Sequence, residues 1–97
     1  TKGAIEIPLK TMETALASMD VAAAMAEHGL KASASDAGVA ALAARSAVLG
    51  AHLNVTINAS GVNDKAWLND VLARAAQMEQ QAVAREREIL ERVAARL

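Results

Sequence analysis

Two asparagines one helical turn apart, Asn54 and Asn58, and an upstream polar group of Ser33, Ser35 and Asp36 are the side chains best suited to recognising a ligand. An amide carries a donor and an acceptor together, which suits heterocycles and the amide edges of small molecules. At i,i+4 spacing on a helix the two amides share a face and can converge on one partner. The competing reading is local: Ser35 and Asp36 cap a helix, and the asparagines satisfy backbone groups where it ends. Composition alone favours that second reading. Other chemistries find less support. His28 and His52 lie on different elements, no HxxxH or HExxH spacing occurs, and the absence of cysteine removes thiolate ligands, disulfides and a cysteine nucleophile. There is no GxSxG elbow and no phosphate-binding glycine loop. A net charge of −1 with mixed signs supplies no basic field for nucleic acid and no polybasic membrane patch.

Three helices must position these groups. Ile5, Leu9, Met12, Leu16, Met19, Ala23, Ala26 and Leu30 recur at alternating steps of four and three, the seam of an amphipathic helix predicted over Glu6 to His28. Pro8 belongs in its first turn, where the missing N–H has no acceptor to lose, and a helix reaching upstream of Ala4 would need a kink there. Gly29 is the natural stop. Ser35 is the better N-cap candidate for the second helix, with Asp36 at the positive end of its dipole, and this helix runs to about Asn58. The β-branched stretch NVTIN is the one place where a strand competes, and helix is preferred. Gly61 with Asn63 or Asp64 makes the next break and cap. Leu68, Leu72, Ala75, Met78, Ala82, Ile89, Val93 and Leu97 then carry the longest helix, Asp64 to Arg96. Its run REREILER is expected to be a solvated face that pairs its charges internally, Glu86 and Glu88 reaching arginines three or four residues away. The fold class is therefore all-α, in a chain of one-domain size.

The second helix poses a packing problem. Val39, Leu42, Leu49, Leu53 and Ile57 form one apolar stripe, while Ala41, Ala44, Val48 and Val55 make the opposite face apolar too. A helix apolar all round is expected to be buried all round. Two neighbours cannot cover it, so the remaining cover must come from another segment or another subunit, making the three helices part of a larger oligomeric bundle. Arg45 and His52 interrupt the apolar run well short of a membrane span of about 20 residues, and no signal-peptide pattern opens the chain. A soluble, cytoplasmic protein with no membrane or nucleic-acid partner is the expectation.

The blocks AIEIPLKTMETAL, SDAGVAALAARSAVLGAHLNVTIN and GVNDKAW, in that order, resemble the C-terminal half of the formiminotransferase-cyclodeaminase and methenyltetrahydrofolate cyclohydrolase family. The resemblance implies an all-helical, cytoplasmic, folate-dependent domain that works as a homodimer or larger homo-oligomer. Residues 1–97 would be the C-terminal half of that domain, with the N-terminal half missing. The implied reactions are closure of 5-formimino-tetrahydrofolate to the 5,10-methenyl form with release of ammonia, or interconversion of the methenyl and 10-formyl forms with water. These are lyase and hydrolase chemistries at N5 and N10, with no cofactor beyond the tetrahydrofolate-derived substrate and no metal. Either reaction can use a positioned carboxylate as general acid or base. The family's glycine-rich loop and acidic segment, the expected home of that carboxylate, do not occur here, so the catalytic residues are unassigned. Leu30 also stands where family members often have Asn. The matching positions Ser35, Asp36, Asn54 and Asn58 are the implied substrate-binding residues, Asp36 more as a cap than as a proton donor. The alternative is a non-catalytic helical oligomerisation module.

Overall fold

The computed structural model describes Thr1 to Leu97 as three helices and no strands: α1 (Gly3–His28), α2 (Ala34–Asn58) and α3 (Lys65–Arg96). Single 3₁₀ turns, Lys31–Ser33 and Ala59–Gly61, make the two connections, so α1 and α3 run parallel with α2 antiparallel to both. The bundle measures 50 × 16 × 16 Å, close to the length that the 32 residues of α3 alone give at a rise of about 1.5 Å each.

A seven-residue repeat explains this rod. Ile5, Met12, Met19 and Ala26 on α1 and Ala34, Ala41, Val48 and Val55 on α2 are all fully buried. Leu68, Ala75, Ala82 and Ile89 continue the pattern on α3. A strict heptad keeps one seam facing its neighbours only if the helices wind around each other left-handedly. Alanine sets the tightness: Ala22, Ala23 and Ala26 of α1 meet Ala34, Ala37, Ala41 and Ala44 of α2 in one continuous core. The backbones of the α1/α2 hairpin can therefore approach closely.

Charges flank the seam at the same spacing. Glu13, Asp20 and Glu27 of α1 pair with Arg74, Arg85 and Arg92 of α3 at 2.9, 3.0 and 3.0 Å. Across the other side of α3, Arg45 faces Glu86 at 3.5 Å and His52 faces Glu79 at 2.9 Å, again seven residues apart on each helix. The exposed pairs between α1 and α3 contribute about 0.2–1 kcal/mol each, so their effect is chiefly on register. By composition α2 with its flanking turns could cross a membrane, with a mean hydropathy of 1.2 over its most apolar window. Its eight buried residues and its charged partners on α3 make it the central helix of the bundle.

Four expectations need correction. First, α1 begins at Gly3, so Pro8 sits in the second turn, where it removes the bond to the Ala4 carbonyl. Contacts at the corner hold that turn: Lys2 pairs with Asp64 at 3.0 Å and lies 5.1 Å above the Trp67 ring. Second, Ser35 is not the N-cap of α2. The 3₁₀ turn delivers the chain into Ala34 with helical backbone at Ser33, and no side chain caps the end. Third, α2 is not buried all round in this chain, because Val39, Leu42, Leu53 and Ile57 are 64, 45, 65 and 71% exposed. Three helices leave each helix an open side. Fourth, REREILER is only partly self-paired. Arg85 reaches Glu88 but also Asp20, and Glu86 turns to Arg45. The predicted cap of α3 does form, with the Asp64 carboxylate accepting from the Trp67 N–H at 3.1 Å. The Lys2 ammonium, then the Trp67 N–H, hold the Asp64 carboxyl below its ordinary value.

Candidate functional site: the groove between α1 and α2

On the side away from α3, α1 and α2 leave a long groove floored by alanines. Near the start of α1 it opens into a concavity of about 420 Å³ lined by Ala4, Ile7, Pro8, Thr11, Ala47, Ala51, Asn54 and Asn58. That volume falls in the range of small-molecule sites, about 300–1,000 Å³. Asn54 stands exposed on its wall with its side-chain amide making no hydrogen bond within the chain. Asn58 is spent differently. Its Nδ2 donates to the Asn54 carbonyl at 2.9 Å and to the Ala4 carbonyl at 3.4 Å. The latter is the oxygen that Pro8 leaves without a helical partner. The two asparagines thus adjoin, but Asn58 meets the backbone of Asn54 and not its amide.

Ser35 and Asp36 lie at the other end. Ser35 is exposed on the outer side of α2. Asp36 lines a second concavity of the same groove with Ser18, Val21, Met25 and Ser33, and is the only carboxylate lining either. Eighteen residues separate Asp36 from Asn54, five whole turns, so they share a face of α2 about 27 Å apart. Of the four predicted residues, Asn54 and Asn58 line one concavity, Asp36 lines the other, and Ser35 lines neither. Pro8 and Thr11, which line the Asn54 end, were not among them. The signal for Thr11 was present in the spacing of Ala4, Thr11 and Ser18, a second heptad of small side chains beside the core seam.

A larger concavity, about 510 Å³, lies between α1 and α3, lined by Glu13, Leu16, Asp20, Met78, Gln81 and Arg85. Its charges are already matched, Asp20 by Arg85 and Glu13 by Arg74, which leaves little unsatisfied polarity to offer a ligand. No three His, Asp or Glu side chains come together in a metal-binding cluster anywhere in the chain.

Residues 1–77 match the family model described as formiminotransferase-cyclodeaminase. The chain belongs to that family. The formiminotransferase-cyclodeaminase match takes in α1, α2, both ends of their groove and the first part of α3. Membership places the chain in a family of folate-related one-carbon metabolism. No curated relative matches the chain.

Proposed function

We propose that the α1/α2 groove contributes to a site for a tetrahydrofolate derivative, in cyclodeaminase or cyclohydrolase chemistry of a longer chain or assembly. The observation that carries this reading is the unspent Asn54 amide over an apolar floor of about 420 Å³, inside the segment that defines the family. Alanine and proline offer flat contact to a heterocycle, and the amide orients it by a donor and an acceptor. Asp36, at the far end, is the groove's one carboxylate and supports an acidic or proton-donating role there only when the substrate extends along the helix. The outer face of α2 supports assembly with further helices, from a second copy or from the other half of the domain, in the cytoplasm. Saturable binding of 5,10-methenyl-tetrahydrofolate, lost on Asn54→Ala with the helical signal intact, is the expected result. Undiminished binding in that variant would remove Asn54 from the site.

The second reading is a helical oligomerisation module without a ligand. The exposed Val39, Leu42, Leu53 and Ile57 favour it. It requires that the assembled protein show no saturable folate binding.

A further inference from the structure

Pro8 and Asn58 are fifty residues apart in sequence and act on the same oxygen. A helix-interior proline removes its own N–H and crowds the carbonyl four residues back, which here is that of Ala4. An unpaired carbonyl is costly wherever water is displaced from it. Asn58 reaches across from the end of α2 and donates Nδ2–H to that carbonyl, while the second N–H of the same amino group goes to the carbonyl of Asn54. Both partners are acceptors only. The amide therefore cannot flip without setting its oxygen against two carbonyl oxygens, and its amino group has no hydrogen left to give. What Asn58 retains toward the concavity it lines is its Oδ1, an acceptor.

We infer that Asn58 is a positioning and specificity residue of the α1/α2 groove: the Asn54 carbonyl and the carbonyl freed by Pro8 together lock its amide so that Asn58 accepts, and does not donate, a hydrogen bond at this point. The ligand group it takes is an exocyclic amino donor, such as the 2-amino group of a pterin. This ligand half rests on the folate reading above; the lock itself does not.

The lock is tested by a double-mutant cycle in the whole chain. In Pro8→Ala the new N–H can bond to the Ala4 carbonyl, so Asn58 loses half of its task. Asn58→Ala should lower the thermal midpoint of the otherwise unaltered chain by about 2–4 °C, the lower end of one net hydrogen bond, because both contacts are exposed. In the Pro8→Ala background it should lower it by less than half as much. Equal losses in both backgrounds overturn the inference whatever the ligand does.

The ligand half is tested with 6-methylpterin against 6-methyllumazine, which replaces the 2-amino donor by a carbonyl acceptor. The chain should prefer the pterin by about tenfold, the upper end of one net hydrogen bond. Asn58→Ala should abolish the preference, and Pro8→Ala, which takes away one of the two carbonyls that hold the amide and leaves that of Asn54, should cut it to about threefold. If Asn58→Ala alone does not fold, the Pro8→Ala/Asn58→Ala variant supplies the same ratio. A preference that survives both substitutions overturns Asn58 as the specificity residue while leaving the folate reading in place. Failure of the unaltered chain to bind either probe, or binding of both equally, overturns the ligand half. In the first case the folate reading of this chain falls with it, and the cycle still decides the lock.

Discussion

Along α2 the residues that face α1 and α3 are alanines and valines, with Ala34, Ala41, Val48 and Val55 fully buried. The residues that face outward, Val39, Leu42, Leu53 and Ile57, are on average larger, and the least exposed of them is 45% exposed. Size is inverted with respect to burial. The small inner residues let three backbones approach closely, whereas the outer ones gain nothing from water and contribute burial energy only when something covers them. One helix thus carries two packing surfaces, of which the chain itself completes one.

The largest effect should come from placing a charge on each surface in turn. Val48→Asp puts an unpaired carboxylate in the centre of the seam and should cost about 4 kcal/mol or more, enough to abolish the helical circular dichroism at room temperature. Ser46→Asp, two residues away on the exposed side, should leave the spectrum of the chain unchanged. If both behave alike, the two faces are not distinct. Next is volume. Ala41→Leu overfills the α1/α2 contact and should cost about 2 kcal/mol in urea denaturation, while Leu53→Ala should stay within about 0.5 kcal/mol. A large loss for Leu53→Ala would mean that the outer face is already covered in solution, and sedimentation of the same variant would then show the smaller species.

A finer contrast lies at the edges of the seam. Arg45→Ala leaves Glu86, whose side chain is only 15% exposed, without its partner, and should cost about 1–2 kcal/mol. Arg74→Ala breaks a pair that is roughly half exposed on both sides and should cost less than about 0.5 kcal/mol. The smallest effect is the pH dependence at the α3 cap. Because the Asp64 carboxyl is held below its ordinary value of 3.8, its contribution is complete above that value and is lost as pH falls through the depressed one. Acid titration of stability should show a shallow loss below the ordinary carboxylate range. Asp64→Asn, which keeps an acceptor for the Trp67 N–H, should flatten it.

The fold was largely legible because a heptad is a strong signal. Ile5, Met12 and Met19 repeat with no competing strand pattern, and Asp64 ahead of Trp67 is a cap readable from residue type. Boundaries set by tertiary contact were not. Pro8 locally argues for a first turn, and only contacts from other elements, Asn58 at the Ala4 carbonyl and Asp64 with Trp67 at Lys2, explain why α1 continues upstream of it. Ser35 has the right type for a cap, yet the preceding 3₁₀ turn had already set the helical backbone at Ser33. Hydropathy marked α2 as apolar on both sides without saying which side the chain covers, because alanine and leucine register alike as apolar while packing at different distances. The charges of REREILER were visible, but the helices opposite them were not.

Arg96 donates to the carbonyls of Met25, Ala26 and Gly29, gathering the end of α1 and the turn after it, where only Met25 also accepts the capping N–H of Gly29. Ala26 and Arg96 are seventy residues apart. During synthesis, α1 and α2 can therefore zip into a hairpin through their alanines while the end of α1 stays open to water. Only when Arg96 has cleared the ribosome does that end close, so the first helix made is among the last to be finished.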